Sequence, residues 1–314
     1  MGDSPLSAYF LVGPTATGKS VVAHAIARAK GWRILSADSM LVYTGMDVGT
    51  AKPDRQTRSE VRYDGLDLVS PGERFSAGCF RRVALDALKR NRADGCPTIV
   101  VGGTGLYVKS LTHGLAPGGP RDGVEWAARE VSVTCDGAGA AREDMAQRSA
   151  AAMVAVRDPL NPRRVLRALE RAEAGEEPPT HWLGKPASGG PLVGLWVELL
   201  ELRRRIAARV DAMFSRGLLD EVRSLLAAGS LSATASQAIG YAEAIACLSE
   251  RCTQAEARER IVQRTCQLAK RQRTWFRHQS PAEWVDVTQM SVGEAAERVS
   301  DLWRQHGPTG IACD

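Results

Sequence analysis

The sequence predicts an α/β protein built on a parallel β-sheet with helices on both faces. Strand and helix patterns alternate over the first hundred residues, and a glycine-rich segment joins the first strand to the first helix. This alternation is typical of parallel sheets, because neighbouring parallel strands need a crossover that a helix usually supplies. The apolar strand candidates are 9–12, 33–37 and 98–101, and the helical patterns are 19–30 and 76–92.

The alternating pattern is then interrupted before it resumes. Glycine and proline are concentrated at 116–123 and at 175–191, and the residues between these segments are mostly helical in pattern. We therefore expect a core domain formed by 1–115 and 191–314 and a small, mostly helical insertion at 116–190. After the insertion, the sequence predicts strands at 192–199 and 283–287 and helices at 201–228, 236–250, 253–279 and 292–305.

The glycine-rich segment, residues 13–20 and here termed the glycine loop, has the pattern G-x-x-x-x-G-K-S of a P-loop. Its glycines let the backbone curl so that N–H groups point inward, and the following helix adds its positive end. Lys19 adds a point charge, and the Ser20 hydroxyl can hold Mg²⁺. The alternative is an ordinary strand–turn–helix connection. We predict a P-loop NTPase-like sheet whose phosphate-binding residues are Gly13, Pro14, Thr15, Ala16, Thr17, Gly18, Lys19 and Ser20.

Further polar and glycine-rich segments follow the second and third predicted strands. Asp38 comes directly after the second strand, and the sequence Gly-Gly-Thr-Gly at 102–105 follows the third. Ligands of such sheets bind at the carboxyl ends of the strands, so we expect both segments beside the glycine loop. Position alone leaves Asp38 three roles: a ligand of Mg²⁺, a general base or the cap of a turn.

A local excess of basic residues lies in the last long helical pattern. Residues 261–280 contain five basic residues and no acidic residue. On a helix, Lys270, Arg273 and Arg277 share one face, whereas the neighbouring aromatic residues are expected to pack in the core. The basic face can contact the phosphates of a nucleic acid or can be an ordinary solvated surface, and charge alone does not decide between them.

Composition excludes several classes of protein. The formal net charge is +5, the seven cysteines form no C-x-x-C pair, and the five histidines are scattered. A zinc or other His/Cys metal site is therefore not expected. No apolar run approaches the ~20 residues that span a bilayer, and the first residues lack the features of a signal peptide. We expect a cytoplasmic, monomeric protein with reduced thiols and no membrane partner.

Eight segments together resemble the tRNA dimethylallyltransferase family, the adenosine-37 tRNA isopentenyltransferases. In chain order they are GPTATGKS (13–20), DSMLVYTGMDVGTAKP (38–53), FSAGCFRR (75–82), VGGTGLY (101–107), RRVLRALE (163–170), RRIAARVDAMFSRGLLDEV (204–222), QAIGYAEA (237–244) and LAKRQRTWFR (268–277). They follow the family's order at roughly its spacing. The resemblance, rather than composition or spacing, identifies the substrates.

The resemblance implies transfer of a dimethylallyl group from dimethylallyl diphosphate to N6 of an adenosine next to the anticodon. It implies that the glycine loop and Mg²⁺ hold the diphosphate, with help from Arg205 and Arg209. It further implies that Asp38 is the base for the adenine amine and that Thr104 touches the target nucleotide. With the basic face added, the expected tRNA contacts are Asp38, Ser39, Met40, Leu41, Thr104, Arg163, Arg164, Arg167, Gln237, Gly240, Tyr241, Arg273 and Arg277.

Some positions depart from the family pattern. Leu41 replaces a frequent Gln, Gly65 replaces a common His, and Ala242 replaces a usual basic residue. The segment 116–157 aligns poorly with the family and is short, so the contacts of the insertion with tRNA are expected to differ from those of the family. Two alternatives stay open: a small-molecule kinase or NTPase that uses the glycine loop for ATP, and a non-catalytic RNA-binding protein. The segment 116–157 shows no obvious arginine-rich lid of the kind a kinase needs.

Overall fold

The computed structural model describes residues 5–115, 164–166, 168, 188–229, 231–280 and 282–312. The chain divides into two units, one formed by Met1–His113 with Pro186–Asp314 and the other by Gly114–Lys185. Most of the second unit lies outside the described residues, and residues 164–166 and 168 within it are helical. The domain boundaries drawn from the sequence stay a prediction.

The first unit contains seven strands and ten helices among the described residues. The strands are β1 (Ser7–Val12), β2 (Arg33–Ser36), β3 (Tyr63–Asp64), β4 (Thr98–Gly102), β5 (Leu192–Trp196), β6 (Ala282–Asp286) and β7 (Thr309–Gly310). The helices are α1 (Lys19–Lys30), α2 (Arg55–Glu60), α3 (Ala77–Ala93), α4 (Gly105–His113), α5 (Leu199–Ser215), α6 (Leu218–Ala228), α7 (Ala233–Ser236), α8 (Tyr241–Leu248), α9 (Gln254–His278) and α10 (Val292–His306).

The strands form one sheet in the order β3-β2-β4-β1-β5-β6, and β7 pairs with the start of β1. All pairings are parallel except that of β7, which is antiparallel. In the centre of the sheet Leu11 of β1 lies opposite Val101 of β4, and Leu35 of β2 lies opposite Val100. Because β2, β4 and β1 are direct neighbours, the segments that follow them emerge side by side.

Alternate strand residues face two hydrophobic cores, as the pleat of a strand requires. Leu11, Ile99 and Val101 belong to a core that includes buried residues of α1, α5, α8, α9 and α10. Phe10 and Val100 belong to a second core, which includes residues of α3 and α4. The prediction of a parallel sheet covered by helices on both faces is therefore confirmed.

Several predicted element boundaries were wrong, and glycine explains two of them. The helix predicted at 201–228 is divided into α5 and α6 at Gly217, which has a φ of +88°. The helix predicted at 236–250 begins only at Tyr241 as α8, after the N-cap Gly240, which has a φ of +96°. Positive φ is tolerated by glycine and ends a helix. The short elements α2, α7, β3 and β7 were not predicted, because two to six residues carry little periodic signal.

Within the described residues, no helix is both long enough and apolar enough to cross a bilayer.

The tightest backbone packing in the sheet predicts one sensitive position. A Cβ on Gly102 would lie 2.2 Å from the carbonyl oxygen of Ala37 on the neighbouring segment. Gly102→Ala should therefore lower the free energy of unfolding by about 1–3 kcal/mol, since backbone cannot move aside as a side chain can. Urea denaturation followed by circular dichroism measures this change.

Gly293→Ala is the matched control, because the nearest atom to its added methyl group is the Ser291 hydroxyl oxygen at 3.9 Å. It lies inside α10 and should leave stability unchanged or slightly raised, as alanine favours helix. Equal stability of the two variants would contradict the packing argument.

Candidate active site at the carboxyl edge of the sheet

The glycine loop connects β1 to α1 and is shaped by its closest neighbours. A Cβ on Gly13, whose φ is +134°, would lie 2.4 Å from the carbonyl oxygen of Leu195 in β5. Ala16 has a φ of +64°, which is unusual for a residue other than glycine, and Gly18 with a φ of +87° precedes α1. The loop therefore curls tightly around the N-terminus of α1, where N–H groups are available to an anion.

Lys19 is a buried cation held against the glycine loop. Its ammonium nitrogen donates a hydrogen bond of 2.8 Å to the carbonyl oxygen of Pro14, which also accepts from the Thr17 hydroxyl at 2.9 Å. Burial lowers the pKa of Lys19 to about 8, the Asp38 carboxylate opposes this change, and the Arg209 guanidinium adds to it. A diphosphate at this position would supply the negative charge that the ammonium lacks.

Arg209 of α5 is the second cation beside the loop. Its guanidinium donates to the Thr15 hydroxyl at 3.3 Å and to the carbonyl oxygen of Thr50 at 2.9 Å. Burial lowers the pKa of Arg209, and the Asp38 carboxylate opposes the change. An arginine nevertheless keeps its proton in proteins, so two positive side chains contact the loop.

The structure does not place Arg205 at the glycine loop, although the resemblance implied it as a diphosphate contact. Its guanidinium donates to the Glu201 carboxylate at 2.7 Å and to the carbonyl oxygen of Thr288 at 3.3 Å. Arg205 lies one helical turn before Arg209, and that turn carries it towards the segment after β6. Of the two arginines, Arg209 is the one that contacts the glycine loop, and a role of either in binding diphosphate stays a prediction.

Asp38 and Thr104 lie on adjacent segments after β2 and β4. The Asp38 carboxylate accepts a hydrogen bond of 2.9 Å from the N–H of Met40, which is the turn-cap arrangement. The Thr104 hydroxyl accepts from the N–H of Ser39 at 3.0 Å and donates to the Ser39 hydroxyl at 3.3 Å. One carboxylate oxygen thus stabilises the turn, and Thr104 fixes the backbone immediately after Asp38.

Gln272 of α9 links two sides of the candidate site and was not predicted from the sequence. Its side-chain oxygen accepts from the N–H of Thr15 at 2.8 Å, and its side-chain nitrogen donates to the carbonyl oxygen of Gly103 at 3.0 Å. The amide satisfies both backbone groups at once because its oxygen accepts while its nitrogen donates. The two partners are 257 and 169 positions away in the sequence, so no local pattern could reveal this role.

The segments expected to contact tRNA differ in exposure. Ser39, Met40 and Leu41 are half-buried, and Gln237 is exposed. Tyr241 is fully buried, and its hydroxyl donates to the Glu221 carboxylate at 2.6 Å. The Tyr241 side chain is buried against Gly49 of the 47–50 loop, the segment of residues 47–50. Direct contact of tRNA with this side chain therefore does not fit the structure. Gly240, also buried, is the N-cap residue that precedes α8, and its N–H donates to the Glu243 carboxylate at 2.8 Å.

The basic face of α9 is exposed. Lys270, Arg273 and Arg277 are all exposed on this helix, and Phe276 beside them is fully buried. The aromatic residues of this segment therefore pack inward, as predicted. Among the insertion residues, Arg164 is helical and exposed, whereas Arg163 and Arg167 lie outside the described residues.

Few of the described side chains are suited to bind a metal ion. Across the part of the chain that the structure describes, no group of three or more His, Cys, Asp or Glu side chains could hold a metal ion. The Ser20 side chain is exposed at the start of α1. A single hydroxyl fits Mg²⁺ when phosphate oxygens and water supply the other ligands, as is common for this ion.

A glycine loop, two cations and a carboxylate at the carboxyl edge of a parallel sheet are typical of phosphate-binding α/β proteins. The family model described as IPP transferase matches residues 41–279, and the model described as Isopentenyl transferase matches residues 6–63. The chain therefore belongs to the IPP transferase family, and the resemblance seen in the sequence is confirmed.

Individual relatives cover nearly the whole chain. A tRNA dimethylallyltransferase of Geobacter sulfurreducens is 40% identical over 283 residues, which are 87% of this chain and 90% of the relative. The crystal structure of a tRNA isopentenylpyrophosphate transferase from Bacillus halodurans has a TM-score of 0.70 at 31% identity, covering 96% of this chain and 97% of that one. A eukaryotic dimethylallyltransferase acting on tRNA shares the fold, with a TM-score of 0.77 at 20% identity over 95% of this chain and 79% of that one.

The lowered pKa of Lys19 predicts how diphosphate binding depends on pH. Below about pH 8 the ammonium is charged in the free and the bound protein, so it adds no pH dependence. Above that pH Lys19 loses its proton in the free protein but keeps it when diphosphate is bound. The affinity for diphosphate should therefore fall with rising pH, by a factor that approaches about tenfold per pH unit. Calorimetric titration with inorganic diphosphate between pH 7 and 9.5 measures this.

Lys19→Met is the control for this titration, because the ionisation of diphosphate itself is common to both proteins. The variant should bind more weakly and should show only the pH dependence of the ligand. If both proteins lost affinity in parallel above pH 8, Lys19 would not be the titrating group.

Proposed function

We propose that this protein transfers a dimethylallyl group from dimethylallyl diphosphate to N6 of adenosine 37 in tRNA and releases diphosphate. The observation that carries the proposal is that Lys19 and Arg209 both contact the glycine loop, while Asp38 follows β2 at the same edge of the sheet and interacts electrostatically with both cations. A leaving diphosphate needs the cations, and an incoming amine needs the carboxylate. Family membership and the names of the relatives favour this activity over an ATP-dependent kinase or NTPase.

The glycine loop would hold the diphosphate of the donor. As the bond between C1 and the bridging oxygen breaks, negative charge grows on the leaving diphosphate. The N–H groups at the start of α1, Lys19 and Arg209 would stabilise that charge, and Lys19 would exchange the Pro14 carbonyl for a phosphate oxygen. Removing one good donor of this kind costs roughly 3–4 kcal/mol of barrier. Ser20 would hold Mg²⁺, which neutralises part of the diphosphate charge when bound.

Asp38 would act on the adenine amine. The lone pair of N6 is delocalised into the ring, so the amine is a weak nucleophile. A general base that accepts a proton from N6 makes it more reactive. In the proposed step the N6–C1 bond forms, the C1–O bond breaks, one N6 proton passes to Asp38 and the electron pair leaves with the diphosphate. Thr104 would hold the segment after Asp38 in place through its two hydrogen bonds to Ser39.

The target base must leave the stacked anticodon loop to reach this edge of the sheet. We propose that the segment 38–41 and the exposed face of α9 contact the RNA, the latter through phosphates. The insertion arginines Arg163, Arg164 and Arg167 are proposed as further contacts on the basis of the resemblance alone. A cytoplasmic reaction by a monomer is proposed on the same basis.

The reaction itself is tested with unmodified tRNA transcript and labelled dimethylallyl diphosphate, followed by mass analysis of the anticodon-loop nucleosides. Wild-type protein should add one dimethylallyl group to adenosine 37. Asp38→Asn should slow transfer by about 10²–10⁴-fold, the usual contribution of a general base, while diphosphate and tRNA still bind. Asp301→Asn, which removes an exposed carboxylate of α10, should transfer at the wild-type rate.

A parallel incubation with labelled ATP separates the alternatives. Hydrolysis of ATP or phosphate transfer from it, without prenyl transfer, would establish the kinase or NTPase alternative. An Asp38→Asn variant as active as the wild type would remove the proposed base from the mechanism.

The basic face of α9 predicts a measurable salt dependence. Each arginine that no longer neutralises a phosphate should reduce the slope of log K against log salt concentration by about 0.7–0.9, so Arg273→Ala with Arg277→Ala should reduce it by about 1.4–1.8. Filter binding of tRNA between 50 and 300 mM salt measures the slope. A double variant of Arg28 and Arg304, exposed arginines paired with Glu60 and Asp301, is the control. An unchanged slope for the α9 variant would show a merely solvated face.

A further inference from the structure

Three consecutive backbone N–H groups converge on one carboxylate away from the glycine loop. The N–H groups of Asp47, Val48 and Gly49 donate to Glu221 of α6 at 3.0, 2.6 and 3.2 Å. Successive N–H groups that point into one concavity form a nest for an anion. In this protein the anion is internal, because Glu221 fills the nest of the 47–50 loop.

Tyr241, the first residue of α8, completes the environment of Glu221. Its hydroxyl donates to the same carboxylate at 2.6 Å. Burial raises the pKa of Tyr241 far above its usual value, and the nearby Glu221 carboxylate adds to the rise, so the hydroxyl remains a donor. A Cβ on Gly49 would lie 2.5 Å from the Tyr241 ring, so the loop is pressed against this side chain.

The other end of the 47–50 loop reaches the diphosphate site. The carbonyl oxygen of Thr50 accepts from Arg209 at 2.9 Å, a shorter distance than the 3.3 Å bond from Arg209 to the Thr15 hydroxyl. Arg209 is thus oriented by the backbone of a loop whose own position depends on Glu221. A continuous series of hydrogen-bonded contacts therefore connects Tyr241, Glu221, the 47–50 loop and Arg209.

We infer that Glu221 is a positioning residue for donor binding, acting through the 47–50 loop to hold Arg209 against the glycine loop. The inference rests on the proposed function, because it takes the diphosphate of the donor as the ligand of Arg209. It also connects the segment 237–241, expected beside the tRNA, with the site of the other substrate. Removal of the carboxylate leaves three N–H donors without their common acceptor, and the loop then no longer fixes the Thr50 carbonyl.

The test measures binding of inorganic diphosphate by calorimetry. Glu221→Gln keeps the shape of the side chain but loses the anion, and it should weaken diphosphate binding about tenfold, the effect of losing charge-assisted hydrogen bonds. The Michaelis constant for the donor should rise by a similar factor, with kcat less affected. Asp220→Asn is the matched control, since it removes an exposed carboxylate from the preceding position, and it should bind as the wild type does.

A double-mutant cycle with Arg209→Ala distinguishes positioning from general loosening of the fold. If Glu221 acts through Arg209, Glu221→Gln should have little further effect in the Arg209→Ala background. A tenfold loss in both backgrounds would overturn the inference, and so would identical binding by Glu221→Gln and Asp220→Asn. If Glu221→Gln does not fold, the same cycle with Tyr241→Phe decides: a loss of about threefold that requires Arg209 supports the inference, and no loss overturns it.

The proposed function fails separately from this inference. A wild-type protein that does not bind inorganic diphosphate would overturn both. Normal wild-type binding and transfer, with no effect of Glu221→Gln, would overturn the inference alone.

Discussion

The candidate site depends on backbone segments that approach more closely than any side chain would allow. Gly13 is pressed against Leu195, Gly102 against Ala37 and Gly103 against Gln272, and a Cβ at any of the three would lie within 2.4 Å of its neighbour. These contacts join the end of β1 to β5, the end of β4 to the segment after β2, and the segment after β4 to the Gln272 side chain of α9. The glycines are needed for this proximity, and only Gly13 among the three also needs a positive φ.

The second constraint is electrostatic. Lys19 and Arg209 are held near the same loop, and Asp38 is the acidic group that opposes the lowering of both pKa values. Burying cations with too little compensating charge costs stability, and a bound dianion would restore the balance. The charge arrangement of the site therefore favours binding of an anion. The 47–50 loop differs from the glycine loop, because its N–H groups already donate to the Glu221 carboxylate and need no bound anion.

The sequence predicted the parts of this arrangement that are encoded locally. Strand alternation, the glycine loop and the position of Asp38 follow from periodicity and from segments of at most eight residues. Gln272 and Glu221 could not be found in this way, because the backbone groups that they bind lie more than 150 positions away. Arg205 and Arg209 could not be told apart, since both fit the pattern and the direction of α5 decides which reaches the loop. The helix boundaries at Gly217 and Gly240 depend on φ values that composition does not specify.

Helix α9 shows why the carboxyl-terminal half is required for the site. Ala269 and Phe276 are buried in the two cores, Gln272 bridges the glycine loop and Gly103, and Arg273 is exposed. A shift of one residue along the helix rotates each side chain by about 100° and would lose all three functions together. The hydrophobic packing of α9 thereby fixes the Gln272 contacts and directs the basic face outward. The same helix would thus support donor binding through Gln272 and RNA binding through its exposed basic residues.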